Sequence, residues 1–215
     1  MAIQVIGNSG IIQEVEAATR AARVVLRPID YGSLGIYSVN VITGTMAAAL
    51  AANTEIFQAR WTHASNIALI KDLKFNGGGS IAAFAAGFYK YEAMIARSWS
   101  ADGSGGGTAN VSGNNNKLRT SMGSVNGMGI RVATTLALGP GTKALDAQGI
   151  GATVGGLTAT AGAAMPPYDL YNPQGEGEYP CALVLNEGVI VRTTVPATGT
   201  WTAGISMKWA ELTSY

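Results

Sequence analysis

Apolar and polar residues alternate most regularly near the C-terminus. Trp201, Ala203, Ile205, Met207 and Trp209 are interleaved with Thr202, Gly204, Ser206 and Lys208. A period of two predicts a β-strand with one apolar face and one polar or small face. A second β-type run precedes it within Ala182–Leu212. The intervening Pro196, Ala197, Thr198 and Gly199 read as a turn, so the pair is expected to form a closing hairpin with Trp201 to Trp209 facing a core.

Similar patterns recur upstream. Tyr37, Val39 and Val41 alternate with Ser38 and Asn40, and Gly44 follows as a turn. Ile56 to Trp61 is a short run. In Ile67 to Phe75, Ile67, Leu69, Leu73 and Phe75 are expected on one face, with Lys71 as the exception. Asn76-Gly77-Gly78-Gly79 is expected to break that strand. Phe84 to Trp99 is long enough for a helix, but Phe88, Tyr89, Tyr91, Ile95 and Trp99 favour a strand. Asp102 to Asn116 is a Gly, Ser and Asn tract expected as an exposed loop. Ile130 to Leu138 reads as a strand ended by Gly139-Pro140-Gly141. Ala147 to Pro167 reads as a long loop or a weakly specified strand pair, and Tyr168 to Pro180 as irregular. Roughly seven or eight strands result, which predicts an all-β, antiparallel, jelly-roll-like β-sandwich. No internal repeat points to a propeller or solenoid.

Residues 1–30 read as an N-terminal arm outside the sandwich, which is assigned residues 31–215. Ile11 to Leu26 carries Glu14 and Glu16 early and Arg20 and Arg23 late, the charge order that suits a helix dipole. Pro28 ends any such helix, and an extended arm fits equally well.

Composition sharpens this picture. The chain has 215 residues, enough to bury a core without disulfides. Only 13% of residues are charged, about half the usual share, and 29 are glycine. Low charge suits a surface largely covered by other subunits. A net charge of +1 argues against a broad nucleic-acid surface. Arg20, Arg23 and Arg27 sit close to Glu14 and Glu16, so the arm is mixed rather than polybasic. Cys181 is the single cysteine, so neither a disulfide framework nor a Cys-rich metal site is expected. The opening MAIQVIGNSG lacks the pattern of a secretory signal, and Met46 to Ala52 is too short to span a bilayer. No membrane or nucleic-acid partner is expected.

Candidate chemistry is sparse. His63 is the only histidine and the one residue through which a Ser-His-Asp triad could run, yet it stands in Trp61-Thr62-His63-Ala64-Ser65-Asn66, which reads as a polar connection. Glu176 and Glu178 have the spacing of paired carboxylates, but Gly175 and Gly177 point to a turn. A calcium site joining them to Asp169 lacks EF-hand spacing. Gly103, Gly105, Gly106 and Gly107 are not followed by the Lys-Ser/Thr of a phosphate loop, and Gly149-Ile150-Gly151 lacks a strand-turn-helix setting. Asn110-Val111-Ser112 is a glycosylation sequon by letter. Trp61, Trp99, Trp201 and Trp209 could line a sugar-binding face, but core packing or subunit contact is their default. No catalytic, cofactor or metal residues are assigned, and no cofactor is expected.

Several segments together resemble a known group. They are Leu26-Arg27-Pro28 before Asp30-Tyr31-Gly32, Ile56-Phe57-Gln58-Ala59-Arg60-Trp61, Ala96-Arg97-Ser98, Asn115 to Met122, and Leu145-Asp146-Ala147-Gln148-Gly149-Ile150-Gly151. The block from Asn186-Glu187-Gly188 to Trp209-Ala210-Glu211 completes the set. In this order the chain resembles tailed-bacteriophage virion proteins with a jelly-roll-like sandwich. The resemblance implies a non-enzymatic structural component, made in the host bacterial cytoplasm and carried on the virion. The form expected is a capsid decoration (cement) protein on the outer shell, bound to the major capsid protein as a homo-oligomer, with a homotrimer as the expected form. A tail, collar or fibre-base subunit and a glycan- or receptor-binding virion module are the alternatives.

Overall fold

The computed structural model describes residues 5–6, 12–13, 34–173 and 180–213. Most of the expected arm, and Glu176 and Glu178, lie outside the described residues. Within the arm, Val5–Ile6 (β1) pairs antiparallel with Ile12–Gln13 (β2), so the chain is extended where the helical reading of Ile11 to Leu26 would begin.

The remaining strands are β3 (Gly35–Ile42), β4 (Thr54–Trp61), β5 (Ile67–Ala82), β6 (Gly87–Ala101), β7 (Gly107–Thr108), β8 (Met128–Val132), β9 (Thr142–Leu145), β10 (Gly151–Leu157), β11 (Ala164–Met165), β12 (Tyr168–Tyr171), β13 (Cys181–Leu183), β14 (Glu187–Thr194) and β15 (Thr200–Leu212). They form two antiparallel sheets. The first runs β10-β6-β14-β4-β8-β7, with β9 also on β6. The second runs β11-β5-β15-β3, with β12 and β13 also on β5. The pairing is nested: β3 with β15, β4 with β14, β5 with β11 to β13, and β6 with β10. Successive strands β3, β4, β5 and β6 alternate between sheets, and the returning strands alternate back. This is an antiparallel ribbon folded over itself, the winding of a jelly roll.

The alternation in β15 does what its sequence predicts. Trp201, Ala203, Ile205, Met207 and Trp209 are all buried in the interior between the sheets. The expected hairpin is different. β14 belongs to the first sheet and β15 to the second, so residues 195–199 cross between sheets. Alternation reports which face of a strand is buried, and both strands bury a face against the same interior. Val189 and Val191 meet that interior from the opposite side. A connection of this length can span the roughly 10 Å between packed sheets.

Strand β5 also departs from its reading. It continues through Asn76-Gly77-Gly78-Gly79 to Ala82. Its register against β15 slips by one residue at Lys71, Asn76 and Ile81. These are β-bulges, and Gly77 at a φ of 99° bends the strand instead of ending it. The bulge at Lys71 also exchanges the two faces. Ala68 and Ile70 join Leu73 and Phe75 in the interior, while Leu69 packs with Ala210 and Leu212 in a separate outer cluster.

The strand expected over Ile130 to Leu138 stops at Val132. The carbonyls of Ala133 and Thr135 then accept hydrogen bonds from the amides of Gly44 and Ala47 at 3.2 and 2.8 Å, so residues 133–137 follow the 43–53 connection instead of a sheet. Residues 147–167 resolve into β10 and β11 with a turn between them.

Candidate functional site

The two ends of the sandwich differ in chemistry. At one end, the connections 62–66, 116–127 and 184–186 meet the start of β3 and the end of β15. Glu211 is fully buried there. Its carboxylate accepts hydrogen bonds from the amide of Asn126 at 3.1 Å, from Asn126 Nδ2 at 3.0 Å and from Trp209 Nε1 at 3.2 Å. Burial pushes its carboxyl above the ordinary value, while these donors and the nearby His63 pull it back. Tyr37 stacks on Trp209 at 5.6 Å and donates from its hydroxyl to the carbonyl of Leu34. Burial, with the Glu211 charge added, pushes this phenol up to about 12.

His63 stands beside this group, but its hydrogen bonds are structural. Nδ1 accepts from the backbone amides of Asn66 at 2.9 Å and Ser65 at 3.2 Å, and the ring tilts against Trp61 at 6.1 Å. The imidazole thus folds its own connection. Glu211 and Asn126 were not singled out as site residues from sequence. Carrying the β15 alternation one step past Trp209 would have placed Glu211 inward.

Polar residues from distant segments converge on the first sheet, Arg60 and the Lys143–Glu55 pair on its outer face and Arg97 at its inward-facing margin near Cys181. Arg60 reaches Asp102 at 3.1 Å and Asn186 at 2.9 Å. Arg97 reaches Asp146 and Glu187, each at 2.8 Å. Lys143 and Glu55 pair at 2.8 Å while almost wholly buried. Gln58 Nε2 donates to Glu55 at 2.7 Å, and the Lys143 ammonium lies 4.5 Å from the Trp99 ring centre. These contacts clamp residues 102, 138–146 and 184–187 onto the sheet.

The remaining candidates are placed as follows. Trp61, Trp99, Trp201 and Trp209 are all buried, so none offers an exposed stacking platform. Asp169 pairs with Lys74 at 2.8 Å, which holds its carboxyl below the ordinary range. Among the described residues, no three His, Cys, Asp or Glu side chains gather into a metal-holding cluster. Gly103 lets two loops touch: a Cβ there would lie 1.6 Å from the Gly139 carbonyl oxygen. Gly149-Ile150-Gly151 leads into β10, with no helix after it, and borders an open cleft lined also by residues 168–173. Asn110 Oδ1 accepts from the amide and hydroxyl of Ser112, closing a local turn. Cys181 opens β13, and burial pushes its thiol up to about 11.

The opposite end is built from the connections 43–53, 83–86, 133–137, 158–163 and 195–199. None of these segments contains a charged residue or a histidine. Ile42, Ile81, Phe88 and Leu136 are exposed at this end. No known protein family, curated protein or solved structure matches this chain.

Proposed function

We propose that this chain is a non-enzymatic structural protein of a tailed-phage virion, a decoration (cement) protein that binds and stabilises the outer capsid shell as a homo-oligomer. The observation that carries this reading is how the surface divides. Arg60, Arg97, Lys143 and their acidic partners hold connections to the sandwich, whereas the opposite end carries no charge in its connections and exposes Ile42, Ile81, Phe88 and Leu136. In this role the sandwich works by contact. Its energetics are those of an interface, about 25 cal/mol for each Å² of apolar surface covered. In this reading the arm at residues 1–30 contacts a neighbouring subunit.

The test is the copy number of this chain in purified particles, by quantitative densitometry against the major capsid protein. A copy number on the scale of the shell subunits is expected. A copy number on the scale of a single tail or collar ring overturns decoration and favours a tail, collar or fibre-base subunit.

A further inference from the structure

We infer that the charge-free end of the sandwich is the surface through which copies of this chain associate. The inference deepens the homo-oligomer part of the proposed function and rests on that part alone.

Five connections that are far apart in sequence make this end. Hydrogen bonds tie four of them to one another and the fifth, 158–163, to the end of β5. Gly44 and Ala47 donate to Ala133 and Thr135, Ala49 donates to the Ala197 carbonyl at 2.7 Å, and Gly162 donates to the Ser80 carbonyl at 3.1 Å. Ala85 donates to the Thr198 hydroxyl. The surface is therefore pre-formed, and little ordering is needed when it is covered.

Its lack of charge is a trait it shares with interface cores, where charged residues are depleted. Ile42 is 69% exposed, Leu136 65%, Phe88 57% and Ile81 56%, and exposed alanines surround them. Of the ionic groups nearest these segments, Glu55 pairs with Lys143, Lys90 and Arg192 both pair with Glu92, and Arg131 donates to the Gly105 carbonyl. Roughly twenty exposed residues fall in these segments, close to the 20–30 that a standard interface takes from each side.

The absence of charge selects the occupant. In a closed symmetric assembly, like residues meet about the axis, so a patch bearing net charge would face its own sign. A patch with none meets itself without that cost. A shell protein or other foreign partner imposes no such condition and could be met by complementary charge.

Sedimentation equilibrium of the full chain across micromolar concentrations tests this. The wild type is expected to be oligomeric. The double variant Phe88→Lys, Leu136→Asp is expected to associate about tenfold or more weakly. Both residues are exposed, so near-UV circular dichroism should match wild type, and the melting temperature should match it at concentrations low enough for both to be monomeric. Leu118→Asp, at the opposite end, should leave association unchanged. A wild-type oligomer untouched by the double variant overturns this surface alone. A wild type that stays monomeric overturns the homo-oligomer reading and the surface with it. Co-flotation of a monomeric wild type with phosphatidylcholine vesicles, lost in the double variant, would assign the end to lipid and also overturn the inference. Shell occupancy is read separately by the densitometry above.

Discussion

The rings of Phe75 on β5 and Tyr91 on β6 stack across the interior, 4.0 Å between centroids and 18° from parallel. The two strands belong to different sheets, so this contact joins the layers directly. Both rings are fully buried. Phe75→Ala should destabilise the fold by about 3–5 kcal/mol, and Phe75→Leu by clearly less, because leucine keeps most of the volume. Urea denaturation with an unchanged m-value is the check. A cost under 1 kcal/mol for Phe75→Ala would show that the sheets are not held together here.

Glu211 should titrate above its ordinary value of 4.5, because burial disfavours its charged form. The sign follows from linkage. Over the range between the unfolded and folded values, the native state binds more protons than the unfolded state. Stability from this group is therefore present at low pH and lost as pH rises through the folded value. Carbon-detected NMR titration of the Glu211 carboxyl tests the position directly, and a midpoint at or below 4.5 contradicts it. Glu211→Gln should remove this part of the pH dependence while loosening Asn126, which loses its ionic acceptor.

The glycines make a paired prediction. Gly77 has a φ of 99°, and an added Cβ would lie 3.0 Å from the Met165 carbonyl oxygen. Gly77→Ala should cost about 1–2 kcal/mol. Gly156 in β10 has ordinary backbone geometry and open space around its Cα. Gly156→Ala should be neutral or stabilise by up to about 1 kcal/mol, through a less free unfolded chain. Thermal denaturation of both variants decides whether β5 needs its bulge. Equal effects would mean that it does not.

These residues also show what could be read in advance. Strand β15 was legible because its alternation runs unbroken from Trp201 to Trp209. β5 was not, because bulges at Lys71, Asn76 and Ile81 shift its phase, and a glycine run that bends a strand looks like one that ends it. The crossing at 195–199 was hidden because burial patterns name a strand's inner face and not its sheet. The charge-free end was hidden because it is assembled from five segments that each look like an ordinary loop. Only the low overall charge hinted at it.

The buried pair Lys143–Glu55 shows how a polar contact can hold the 138–146 segment without adding net stability. Their side chains are 2% and 8% exposed, and the pair sits against Gln58 and the Trp99 ring. Taking both charges from water is costly, and their attraction offsets this only while both are present. Lys143→Met should therefore cost about 3–5 kcal/mol, because it leaves Glu55 and its hydrogen-bonded Gln58 without a cation. The double variant Glu55→Gln, Lys143→Met should recover most of that loss. A double-mutant cycle by chemical denaturation measures the coupling. Additive costs would mean that the pair does not act as a unit, and that the segment is held by its contacts with the Gly103 loop.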